Sequence, residues 1–170
     1  MTEANTDEGR EIARLAMEGE ERTQKRERET KIKSIKTERD QISERLRLVL
    51  VDKEKLELAW VELDNARKLI RKNLEPILAE EKSFETEESA LEDEEAKIGL
   101  AKDKQVVEKK RWLAQDKRRD AEQKKWQEED KLTKLDQTIE ANTANYRSLL
   151  DEEEKLETRL TELGAEEAAL

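Results

Sequence analysis

The sequence predicts an all-α fold of long coiled-coil helices, arranged as an antiparallel helical hairpin, and three observations carry that expectation. Ten apolar residues recur at seven-residue intervals: Ile35, Ile42, Val49, Leu56, Leu63, Ile70, Ile77, Phe84, Leu91 and Ile98. That spacing keeps one narrow stripe facing a partner helix, because seven residues make almost two helical turns and a left-handed supercoil absorbs the remainder. Composition agrees: 47% of the 170 residues are charged, 34% are hydrophobic, and there are only four Gly and one Pro. Such a chain covers a seam rather than a globular core. The third observation is a reversal of charge. Residues 78–97 carry nine acids against Lys82 and Lys97, whereas residues 102–125 carry ten bases against five acids. These blocks face each other only if the chain folds back on itself.

Taken in order, residues 1–10 lack periodicity and read as a disordered tail. Residues 11–31 begin with Ile12, Leu15 and Met17 and continue as a dense charged run, the pattern of a weakly held helix with little seam. The first coiled-coil arm spans 32–97. It contains Pro76, which in a helix interior removes the bond to the Lys72 carbonyl at about 3 kcal/mol. Ile70, Ile77 and Phe84 keep their phase across it, which predicts a kinked but continuous helix; a fresh helix with Pro76 in its first turn is the alternative. A turn is expected at 98–102, near Gly99, with Asp103 placed to start the next helix. The second arm spans 103–170.

The second arm shows its own frame, with Leu132, Ile139, Tyr146 and Leu160 in one row and Leu135, Leu149, Leu156, Leu163 and Leu170 in the other. It is displaced by two positions from a frame continued from the first arm, which predicts a discontinuity or a turn between them. The hairpin pairing this suggests sets Leu46 against Leu149, Lys53 against Asn142 and Trp60 against Leu135. Nearer the turn it sets Phe84 by Leu113, Leu91 by Val106 and Ile70 by Trp126. The competing architecture is one continuous, Pro76-kinked helix in a parallel dimer, in which the charge blocks would stack like against like.

Several function classes find no support. The chain has no His and no Cys, no Gly-rich phosphate loop and no EF-hand ligand spacing, so it reads as a non-enzyme with no cofactor and no metal site. A net charge of -10 disfavours nucleic acid and anionic membranes as partners. The first ten residues lack a signal-peptide pattern, and the longest run of large apolar residues is only Leu48 to Val51, so a soluble cytoplasmic protein is expected.

Two segments stand out as candidate binding surfaces. Leu46, Leu48, Leu50, Val51, Leu58 and Val61 widen the apolar stripe around most of the helix, which points to self-association into an oligomer or to a protein partner. The second segment is a basic strip of Lys109, Lys110, Arg111, Lys117, Arg118, Arg119, Lys124 and Lys125, interleaved with Trp112 and Trp126. Bases alternating with aromatics suit nucleic acid or a membrane surface. The two tryptophans are fourteen residues apart, however, so the structural alternative has them filling the seam while their basic neighbours pair with the acidic block. The function expected is therefore a non-enzymatic coiled-coil scaffold, spacer or protein-interaction rod, with nucleic-acid or membrane-surface binding through 102–126 as the alternative.

Overall fold

Two helices, α1 (Ala4–Lys97) and α2 (Ala101–Ala168), pack against each other as an antiparallel hairpin, with Ile98–Leu100 between them. The computed structural model describes residues 4–170, and no strand occurs among them. The hairpin decides against a single continuous helix. α1 runs without interruption through Pro76. The connection is shorter than the 98–102 turn expected. α2 already starts at Ala101, where the Lys104 N–H donates to the Leu100 carbonyl at 3.0 Å and Asp103 places an acid in the first turn. No glycine has a positive φ, so Gly99 does not close the turn by a left-handed cap.

The helix also begins earlier than the sequence predicted. Residues 4–10 were expected to be tail, yet α1 starts at Ala4; residues 1–3 lie outside the described residues. Nothing in this stretch forbids a helix. Gly9 costs about 1 kcal/mol in a helix interior, and Asp7 suits the positive end of the helix and lies 3.9 Å from Arg10.

The chain divides into two units, one made of residues 1–54 with 147–170 and the other of residues 55–146. In the first, Ile35, Ile42 and Leu163 form a buried cluster, against which Leu46, Leu156, Leu160 and Leu170 pack. Val49 and Leu163 are the two fully buried side chains. Ion pairs flank this seam: Arg159 donates to Glu38 at 2.7 Å, Arg45 to Glu152, and Lys53 to Glu153 at 2.7 Å. Residues 7–34 of α1 are exposed throughout, so no other helix covers this stretch among the described residues.

The second unit fills its seam differently. Its buried apolar residues are Leu74, Val107, Ala114 and Ala121. Beside Val107, Ala114 and Ala121, acids of α1 meet bases of α2: Glu95 with Arg111 at 3.3 Å, Glu88 with Arg118 at 2.8 Å and Glu81 with Lys125 at 3.1 Å.

Two expectations are overturned here. Val107, Ala114 and Ala121 continue the row of Leu135, Leu149, Leu156, Leu163 and Leu170 backwards at seven-residue steps, so α2 keeps one frame and the displacement from the frame of α1 falls at the turn between the helices. Trp112, Trp126, Leu113 and Val106 are all exposed rather than in the seam. The pairing is also displaced by one heptad. Leu46 packs against the cluster that Leu163 forms with Ile35 and Ile42, Lys53 meets Glu153 rather than Asn142, and Trp60 lies by Asn142 and Tyr146 rather than Leu135. Apolar layers repeat every seven residues and cannot distinguish the two registers. Charges can. The observed register brings opposite charges together at Arg39 and Glu167 and at Lys53 and Glu153; a heptad slip would oppose the same two bases to Leu160 and Tyr146.

Candidate interaction surfaces

The expected apolar patch is distributed over both units and over more than one face of α1. In the first unit Leu46 belongs to the seam, against the Ile35, Ile42 and Leu163 cluster. Val51 is half-buried, while Leu48 and Leu50 are exposed. In the second unit Leu58 and Val61 are exposed, at 69% and 56%, and stand one turn apart on the side away from α2. Four of the six residues therefore offer apolar surface.

The basic strip is divided by the seam. Arg111, Arg118 and Lys125 are half-buried and engaged by Glu95, Glu88 and Glu81. The hydrogen bonds from Lys125 to both oxygens of Glu81 raise the lysine's pKa above its ordinary range. Lys109, Lys110, Arg119 and Lys124 are exposed. Lys117, also exposed, sits 5.9 Å above the centre of the Phe84 ring, within cation–π reach. The strip is thus not a single free basic surface.

Between Trp112 and Trp126 the outward face has a different character. Both tryptophans are more than half exposed, at 53% and 63%, and Arg119 lies midway between them in the same row. Reading the tryptophans as seam residues hid this face. The signal that reveals it is the alanine row at Ala114 and Ala121, which supplies an alternative seam at the right spacing.

Sequence reasoning also missed two local constellations. Arg159 donates to Glu38 across the first unit's seam and to Glu162 and Glu166 along its own helix. This lowers the pKa of Glu38 and raises that of Arg159. In the second unit, Leu56, Trp60, Asn142 and Tyr146 border an apolar cavity of about 290 Å³, closed on one side where the Tyr146 hydroxyl donates to Glu57 at 2.8 Å. Asn142 occupies a seam row that is otherwise apolar over Leu135 and Leu149.

Among the described residues no group of carboxylates is placed to hold a metal ion, and no helix is long and apolar enough to cross a membrane. No family model, curated protein or solved structure matches the chain.

Proposed function

We propose that the protein is a non-enzymatic scaffold or spacer that holds a protein partner on the outside of its hairpin. The observation that carries this reading is the exposure of large apolar side chains on α1, Leu58 above all, on a helix whose seam is already filled by other residues. Such side chains in a chain with 47% charged residues are a docking feature rather than background. The lack of His and Cys supports a non-catalytic role, and the reading places the protein in the cytoplasm. Leu50→Glu and Leu58→Glu test it: both should leave helicity and unfolding unchanged while abolishing recovery of the partner. Unchanged partner recovery would contradict the docking surface.

The competing reading is nucleic-acid or membrane-surface binding through 102–126, and the exposure of Trp112 and Trp126 is what favours it. Salt separates the two. A basic-strip binder loses nucleic-acid affinity steeply as salt rises, and loses it on reversal of Lys109 and Lys110. A scaffold shows no such affinity at any salt.

A further inference from the structure

The cavity bordered by Leu56, Trp60, Asn142 and Tyr146 is a place in the second unit where the packing of α1 against α2 leaves room for another molecule. Its volume is about 290 Å³, and an engineered apolar cavity of about 150 Å³ already takes benzene. Its lining is mostly carbon, and its polar groups are nearly all committed. The Tyr146 hydroxyl donates to Glu57 at 2.8 Å, and the Thr143 hydroxyl donates to the Ile139 carbonyl at 2.8 Å. That leaves the amide of Asn142, which has no hydrogen-bond partner among the described residues. Water needs about two to four polar partners to be held well and finds one uncommitted group here. Loosely held water is readily displaced by an apolar group, with a gain in affinity.

We propose that this cavity is a binding site for a small, neutral, planar aromatic molecule of one or two rings that carries one hydroxyl or carbonyl group. Trp60 and Tyr146 offer it aromatic walls from opposite helices. A flat ring gains from offset-stacked or edge-to-face contact with such walls beyond the area it buries. The Asn142 amide carries both donors and an acceptor, so it can pair with one polar substituent; a ligand without one leaves the amide unpaired. Charge is disfavoured in either sign. Glu57 at the rim repels an anion, and a cation would lose its water against a carbon lining in which Glu57 is already bonded to Tyr146. Size sets the upper limit, since pockets for drug-sized ligands begin at about 300 Å³.

The proposal goes beyond the scaffold reading, and neither Leu50→Glu nor Leu58→Glu replaces a residue of the cavity, so the two fail separately. The test is a titration of the full ¹⁵N-labelled chain with 2-naphthol, followed by NMR. The Trp60 indole N–H and the Asn142 side-chain amide should shift together and saturate with one Kd of about 1 mM or tighter. Trp112 and Trp126, exposed elsewhere on α2, are internal controls and should not follow. Naphthalene, which lacks the hydroxyl, should bind about fivefold more weakly. Asn142→Leu, which replaces the amide with an apolar side chain that fills the space, should abolish the saturable shift at Trp60 while helicity stays unchanged. Trp60→Ala, at a half-exposed position, should weaken binding about tenfold as read at the Asn142 amide. Shifts that grow linearly without saturating, equal shifts at all three tryptophans, or saturable binding that survives Asn142→Leu or Trp60→Ala undiminished would each overturn the proposal.

Discussion

The two units of this hairpin close the same kind of seam with opposite materials. In residues 1–54 and 147–170, branched and long apolar side chains fill it, and Val49 and Leu163 are fully buried. In residues 55–146, its turn-proximal part is built from alanines, Val107 and three acid–base pairs. Burial of apolar area supplies most of the stability in a coiled coil, whereas charged residues at seam positions specify which residue meets which. Both units carry charge pairs that fix the pairing, and the first adds the two fully buried apolar side chains. An alanine row leaves little apolar area to bury, but it lets the stems of Arg111 and Arg118 lie over the seam while their heads reach Glu95 and Glu88.

Predictions that break or sharpen this contrast run from large to small. Leu163→Ala removes the centre of the first unit's cluster and should cost about 2–5 kcal/mol in urea unfolding. Ala114→Gly in the second unit should cost only about 1–2 kcal/mol, the helix-propensity difference plus one buried methyl. Glu88→Ala lies between them. Glu88 is only 9% exposed, and its loss leaves the half-buried Arg118 with only Glu122, 3.6 Å away on its own helix, at about 1–3 kcal/mol. Adding Arg118→Leu should recover most of that loss, because an apolar pair in a seam stands in well for an ion pair.

Acid should act on the ion pairs that flank the first unit. Glu38 and Glu152 have pKa values held below the ordinary 4.5 by hydrogen bonds from Arg159 and Arg45. Groups whose folded pKa is depressed stabilise the fold above their unfolded value, and that contribution is lost as pH falls through the lower folded value. Urea unfolding followed from pH 7 to pH 3 should therefore show a loss below about pH 4.5, and the combined Glu38→Gln and Glu152→Gln variant should show a shallower one. The smallest effect belongs to the tryptophans. Trp112→Ala and Trp126→Ala should change unfolding of the dilute protein by less than about 0.5 kcal/mol, whereas tryptophans filling the seam would cost about 3–5 kcal/mol.

The hairpin was legible because its two signals are long. Ten residues from Ile35 to Ile98 keep one phase, and the change of charge sign between 78–97 and 102–125 makes sense only across a turn. The register was not legible from apolar layers, which match equally well after any slip of seven residues; it emerges when Lys53 and Arg39 are required to meet Glu153 and Glu167. The seam of α2 near the turn was misread because alanine carries a weak hydropathy signal and tryptophan a strong one. Ala114 and Ala121 are in the right phase, and Trp112 and Trp126 are two positions out of it. The candidate surface at Leu48, Leu50, Leu58 and Val61 was visible because apolar residues there exceed what the seam uses. The face around Arg119 was concealed by assigning its tryptophans to the core.

The register is tested most directly by disulfide trapping, for which the absence of native cysteine leaves a clean background. Ile42→Cys combined with Leu160→Cys should oxidise to an intrachain disulfide in high yield, because both positions belong to the same seam cluster. Ile42→Cys combined with Glu153→Cys, one heptad away, should not. Closure of the second pair in preference to the first would contradict the register and the charged seam that sets it.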